Sequence, residues 1–429
     1  MNMKKICSIL VCGAGLALAG CDKELDMYPH SSVATESLTE DDIEAFVNGV
    51  YNRVQNAPTN TSYVLFDILG GNMVRGGASG LGGYKEMIND ILQPENGNIA
   101  SQWNGYYSAL YQVNNLIEVA GGLPESEQKK QVLGIAHYFR GYIYLNLVTR
   151  WGGVPVISQN TQEKLPRNSE AETWAFIEQE LSFAIDNAPA YASGSYYVSR
   201  EAAQALLART KLAQGKNEEA AALAEDLINS GTFSLDDFGK IFRGQQNREV
   251  IFSFRNQTEE SSINLSTLFY TYAHPTKGSY NYKPSPEVMN LFSAEDKRRT
   301  ASIDTYADLE VINKYPSGQA GTDPIVISRL AEMYLISAEA QGLEGLPRLN
   351  ELRRARGLDV VQSGSEAEYL ELVLLERRRE LLAEGFRWYD LVRLGRAQEE
   401  IGLSKAQLKL PIPARELFLN SLLNQNPGY

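Results

Sequence analysis

Three glutamates recur every four residues, Glu376, Glu380 and Glu384, which puts three carboxylates on one face of a helix. Paired carboxylates are the machinery of glycosidic hydrolysis. The same spacing has a plainer use. Like charges at this interval repel unless cations neutralise them. Arg377, Arg378, Arg379 and Arg387 lie alongside, and Arg353, Arg354 and Arg356 come one helix earlier. So many guanidiniums favour an ion-pair network that holds the fold over an acid–base pair. Other chemistry-bearing residues are sparse. His30, His137 and His274 are far apart and lack metal-ligand spacing; His137, in an aromatic helix, reads as core. No nucleophile elbow, phosphate loop or dinucleotide fingerprint occurs. Neither a catalytic residue nor a metal or cofactor site is expected.

The cysteine at position 21 carries a different chemistry. Lys4 and Lys5 precede an apolar stretch from Ile6 to Gly20 that ends Leu18-Ala19-Gly20-Cys21. That stretch is shorter than the roughly 20 residues a membrane span needs, and it has the form of a cleavable export signal. A cysteine directly after small residues supplies the thiol that bacterial lipoprotein processing acylates. Residues 1–20 are thus expected to be removed and Cys21 to carry lipid. Cys7 and Cys12 would leave with the signal, so no thiol remains for a disulfide, a metal or a nucleophile. Losing Lys4 and Lys5 takes the formal charge of the 429-residue chain from −13 to −15. Such an acidic balance disfavours nucleic acid as a partner. Asp22 beside the lipid site leaves the destination open, because acidic sorting signals retain or export in different bacteria.

The informative aromatic residues are tyrosines, 23 of them against 4 tryptophans. Tyr270, Tyr272, Tyr280 and Tyr282 gather in a non-helical segment with Pro275, Gly278 and Pro284. A sugar ring offers an apolar C–H face that an aromatic ring covers, and tyrosine adds a hydroxyl at low entropic cost. Asp67, Asn72, Arg75 and Tyr84 come from a Gly-rich segment and supply polar groups for hydroxyls or a carboxylate. Asn72 after Gly70-Gly71 also suits a turn, and Asp67 could brace it. Trp151, Trp174 and Trp388 read as core, and Trp103 leans the same way.

Helices must position these groups. Apolar periodicity predicts helices over 41–55, 99–120, 125–149, 170–187, 199–214, 218–229, 325–341, 346–356 and 366–394. Thr39 is a candidate N-cap for the first, with Asp42 three residues on. Ala203, Ala205 and Ala208 face Ala220, Ala221 and Ala224 across a turn at Gly215, the small-residue logic of a tetratricopeptide-like hairpin. A weaker copy runs from Leu330 to Gly357. Repeats of this kind stack into a superhelical scaffold. Two regions interrupt the pattern, 59–98 and 231–319, the second holding a strand-like run at Val250–Phe254. The fold class is therefore mostly α, with an irregular, loop-rich part containing short strands.

Taken in order, several motifs resemble the SusD/RagB family of surface lipoproteins. They begin with Leu25-Asp26-Met27-Tyr28-Pro29 and the series Trp103, Tyr107 and Asn114. His137 to Tyr142 leads into Trp151-Gly152-Gly153-Val154-Pro155, and Glu249 to Phe252 follows. Ile327 to Leu335, Glu376 to Leu391 and Leu410-Pro411-Ile412-Pro413 complete the set, with Asn424 to Tyr429 at the end. The resemblance implies one SusD-like domain over 21–429, anchored by lipid at the outer-membrane surface. It implies a non-catalytic protein that binds glycan and passes it to a TonB-dependent, SusC-like transporter. The RagB branch implies peptide as the alternative cargo, and a glycoside hydrolase is the remoter one. The family's ligand contacts come from loops that do not align here, so its substrate does not transfer.

Overall fold

The computed structural model describes residues 40–77, 84–192, 194–261, 263–271 and 278–429. The expected leader, Cys21, Thr39, the entry motif at 25–29, Gly80–Gly83, Tyr272, His30 and His274 lie outside them. The chain divides into two compact units, Met1–Ala45 and Phe46–Tyr429. Of the first, the described part is the opening of helix α1 (Glu40–Asn56). Everything below concerns the second.

The chain is mostly α-helical. After α1 come α2 (Leu65–Leu69), α3 (Tyr84–Ile91), α4 (Gly97–Gly121), α5 (Glu127–Trp151) and α6 (Glu170–Asn187). Then follow α7 (Arg200–Ala213), α8 (Asn217–Asn229), α9 (Leu330–Ala340), α10 (Leu346–Ala355), α11 (Glu366–Glu380) and α12 (Arg387–Arg393). From α4 to α10 each helix packs on the next. Side-chain caps start several of them. Asn96 accepts from two amides of α4, and Ser169 and Glu172 form a capping box on α6. α7 packs on α8, and Ala203, Ala205, Ala208, Ala220 and Ala224 are fully buried, while Ala221, expected with them, is only half-buried. The α9–α10 pair repeats the arrangement around Ala331, Leu335, Leu349 and Leu352. No helix among the described residues is long and apolar enough to cross a membrane.

Among the described residues, three two-stranded antiparallel ribbons interrupt the helices. They pair β1 (Met73–Arg75) with β3 (Tyr282–Pro284), β2 (Val250–Phe254) with β6 (Ile325–Arg329), and β4 (Ile303–Tyr306) with β5 (Leu309–Ile312). β6 corrects the helix expected over 325–341, which starts only at Leu330. The β-branched run Ile325-Val326-Ile327 is buried on both sides against β2, where strand geometry suits it better than a helical turn. The long helix expected over 366–394 is broken as well. Ala383 and Gly385 take left-handed φ of 63° and 81°, and a Cβ on Gly385 would stand 2.6 Å from the Tyr63 carbonyl. The segment 59–98 is less loop-like than its glycines suggest, since it holds α2, β1 and α3.

The glutamate face is wholly internal. Glu380 is fully buried and accepts from Arg298, Arg329 and Arg356. Glu376 pairs with Arg298 and Arg353 at 2.6 and 2.7 Å, and Glu384 pairs with Lys314 and Arg329. Burial alone would raise the Glu380 carboxyl, but the guanidiniums of Arg356, Arg329 and Arg298 outweigh it and hold it well below the usual carboxylate range. These acids are cross-links of the scaffold. All four tryptophans are buried, whereas His137, expected in the core, is only half-buried, its ring stacked on Phe183 with centroids 4.0 Å apart and its Nδ1 2.8 Å from Glu180 Oε2.

Candidate binding site

The β1–β3 ribbon brings together two of the residues picked from the sequence. Arg75 stands directly opposite Tyr282 in the register, and Gly76 N donates to Asn281 O at 2.9 Å to extend the ladder. Beside the ribbon lies an open hollow of about 470 Å³. Tyr282 and Asn281 form one wall, Asn98 at the start of α4 another, and Thr59, Asn60 and Thr61 a third, over a floor that includes Ile263 and Leu268. The side-chain amides of Asn98 and Asn281 are exposed and have no protein partner among the described residues. Tyr282 is half-buried. Burial raises its hydroxyl pKa, and the neighbouring Arg75 charge partly offsets that.

The hollow is held rigidly. Asn60 accepts from Asn264 N at 3.3 Å and donates to Asn264 O at 3.2 Å, clamping two loops together. Thr59 and Tyr280 both have left-handed backbones, with φ of 72° and 46°. Non-glycine residues there carry strain, and such strain collects at binding and catalytic sites. Gly76 makes the Tyr280 geometry possible, because a Cβ on it would stand 2.4 Å from the Tyr280 carbonyl oxygen. The arrangement offers one tyrosine ring and several neutral amides. It can cover a flat apolar face and bond hydroxyls, while showing no convergent carboxylates and no cluster of metal ligands among the described residues.

The remaining sequence candidates are placed elsewhere, and three of them prove to be braces. Asp67 is fully buried and accepts from Asn72 Nδ2, Ala383 N and Gly385 N at 2.8, 2.9 and 2.7 Å. It therefore fastens the break after α11 and has no surface for a ligand. Burial raises its carboxyl above the usual range, against those three donors. Asn72 is also buried and accepts from Arg378 Nε at 2.8 Å. Tyr84 donates its hydroxyl to the Leu69 carbonyl. Arg75, opposite Tyr282 on the ribbon, is not among the residues lining the hollow and is ion-paired with Asp90. Tyr270 and Tyr280 are 4% and 6% exposed, and their hydroxyls donate to Asn313 Oδ1 and Glu310 O. They support the segment that carries Tyr282. Asn98, Thr59, Asn60 and Asn281 were not picked from the sequence; nothing there marks them out without the ribbon register.

Comparison with known proteins agrees with this architecture. Residues 23–212 match the family model described as starch-binding associating with outer membrane, and residues 311–409 match that of the SusD family. The chain belongs to the SusD/RagB family. It is 26% identical to SusD-like protein P38 of Formosa agariphila, with 96% of each chain aligned. It is 23% identical to a SusD-like protein of Bacteroides ovatus, over 90% of this chain and 81% of that one. Among solved structures, a SusD superfamily protein of Parabacteroides distasonis superposes with a TM-score of 0.81 at 18% identity, covering 93% of this chain and 100% of that one. Surface glycan-binding protein A of Bacteroides thetaiotaomicron, solved in complex with laminarihexaose, gives 0.79 at 20% identity, covering 91% and 100%. A laminarin-binding SusD-like protein gives 0.78 at 23%, covering 91% and 100%. At these identities the solved structures establish a shared fold.

Proposed function

We propose that this SusD/RagB family member is a non-catalytic, glycan-binding surface lipoprotein. Its export signal is removed and Cys21 acylated, so that residues 21–429 stand at the outer-membrane surface as one SusD-like domain. There it captures oligosaccharide and passes it to a partner TonB-dependent transporter. The observation that carries this reading is the hollow beside the β1–β3 ribbon, where the Tyr282 ring lies among neutral, outward-facing amides. Ring-face contact plus a few amide hydrogen bonds suits sugars, which are flat on one side and studded with hydroxyls. That solved relatives of the same fold are described as binding laminarin or laminarihexaose supports a carbohydrate cargo. A peptide carboxylate seeking Arg75 would have to compete with Asp90, to which Arg75 is ion-paired.

The test is a binding screen of the soluble form, lacking the leader and Cys21, against glycan and peptide panels. Glycan hits are expected, with Tyr282→Ala weakening them at least tenfold while its circular dichroism spectrum stays that of the wild type. Peptide-only hits, or a Tyr282→Ala variant that binds every glycan as well as wild type, would overturn the reading.

A further inference from the structure

A second hollow, of about 690 Å³, opens on the other flank of α1. Asn48 and Asn52 of α1 line it, facing Tyr196 and Tyr197 from the turn before α7 and Arg255 and Gln257 after β2. Its floor is fixed. Tyr51 lies edge-on to Phe139 with ring centroids 4.7 Å apart, and its hydroxyl accepts from Val198 N at 2.7 Å. Ser253 N of β2 donates to Ser195 O at 2.8 Å, so both ends of the 195–198 turn are tied down. That anchored turn leaves the Tyr197 ring 56% exposed. A large ring held out by a rigid turn loses little entropy on binding. Arg255 sits 5.8 Å from the Tyr196 ring centroid, is exposed, and has no carboxylate partner among the described residues.

Only a thin partition divides the two hollows. Gln55 and Ser261 face this one, and Asn56 and Ile263 face the hollow beside Tyr282. The partition is a closed polar network. Gln55 Nε2 donates to Ser261 Oγ at 2.9 Å, and the single Ser261 hydroxyl proton goes to Asn256 Oδ1 at 2.6 Å, with Asn56 Oδ1 the farther acceptor at 3.1 Å. Along α1, Asn48 and Asn56 are eight residues apart, about 12 Å at the helical rise.

We propose that the Tyr196–Tyr197 hollow is a second carbohydrate subsite, which takes the continuation of an oligosaccharide whose other part lies against Tyr282. The proposal rests on the glycan reading of the first hollow. The second hollow offers related chemistry, the exposed Tyr197 ring and the half-buried Tyr196 among amides, with the Arg255 guanidinium and the Glu260 carboxylate to bond ring hydroxyls. A chain that fills both gains the second contact at high effective concentration. Affinity therefore rises with length, tenfold or more between a disaccharide and a hexasaccharide.

The experiment titrates the soluble form by calorimetry with oligosaccharides of two, four and six sugars, cut from β-1,3-glucan, α-glucan, xylan and mannan. The expected result is a hexasaccharide-to-disaccharide affinity ratio of at least ten in wild type, falling to near one in Tyr197→Ala. Arg255→Ala lowers the ratio in the same direction and guards against a local effect of one substitution. A ratio that Tyr197→Ala and Arg255→Ala leave unchanged overturns the second subsite. If Tyr282→Ala still weakens every length in that case, the first hollow stands alone. Failure of wild type to bind any of these sugars overturns both readings together.

Discussion

The glutamate face of α11 and the hollow beside Tyr282 are both polar regions of one chain, and they resolve their polarity in opposite ways. Around Glu380 every charge is buried and every carboxylate meets cations from distant elements, Arg298, Arg329 and Arg356 among them. The polar groups lining the hollow beside Tyr282 are neutral amides and hydroxyls, and Asn98 and Asn281 turn theirs to solvent. A satisfied, inward network specifies how elements meet. An unsatisfied, outward one is left for something that arrives later. Density of charge in this sequence therefore marks the scaffold, and the site is marked by its thinness.

The contrast can be broken at its strongest point first. Glu380→Ala removes the acceptor shared by three buried guanidiniums, and breaking a buried pair in this way costs about 3–5 kcal/mol. A urea melt should show that loss; a loss below about 1 kcal/mol would mean the cluster does not hold the fold.

A second test uses pH. Asp323 lies behind the partition, accepting from Ser317 N and Oγ while its own carbonyl accepts from Asn256 Nδ2. Burial pushes its carboxyl up to about 6, against those Ser317 bonds. The folded state then holds a proton that the unfolded state has released between about pH 4 and 6, so this contribution is full below pH 4 and fades as pH rises through 6. Glu380 and Glu384 are shifted down, and their contribution runs the other way, lost as pH falls below the ordinary carboxylate range. Asp323→Asn should raise stability at pH 7 relative to pH 4 by up to about 3 kcal/mol compared with wild type. Parallel stability–pH curves for variant and wild type would remove Asp323 from the account.

Asp67→Ala separates bracing from binding. It strands the Ala383 and Gly385 amides at a cost of about 1–3 kcal/mol, yet glycan affinity measured well below the melting temperature should change less than threefold. A selective loss of binding without destabilisation would return Asp67 to the site. The smallest effect is expected at the rim. Asn98→Ala should weaken glycan binding by about 1 kcal/mol, one hydrogen bond's worth, without moving the melting temperature.

Much of the scaffold is legible in the sequence because helices repeat at 3.6 residues and state their buried face locally. The α7–α8 hairpin and the ion-pair role of Glu376, Glu380 and Glu384 are readable from spacing alone, while the capping box on α6 was passed over. Where two segments must meet, spacing fails. Ile325–Arg329 has apolar content that suits a helix until β2 is beside it. Asp67 carries no mark that its partners would be amides more than three hundred residues away. Tyr282 and Arg75 were picked for residue type, and the register then set them opposite each other. Tyr196 and Tyr197 escaped notice because they adjoin a helical hairpin and sit outside the Gly-rich segments.

The β1–β3 ribbon has one more consequence, in the order of events as the chain folds. Its two three-residue strands lie about two hundred positions apart, and the helical hairpins between them are built from neighbours. Contacts between near neighbours form before those that must close a long loop. The surface beside Tyr282 is then among the last to be completed, and hydrogen-exchange labelling during refolding should find the Gly76 and Ser285 amides protected after those of α7 and α8. A ligand for this hollow would recognise only a finished molecule.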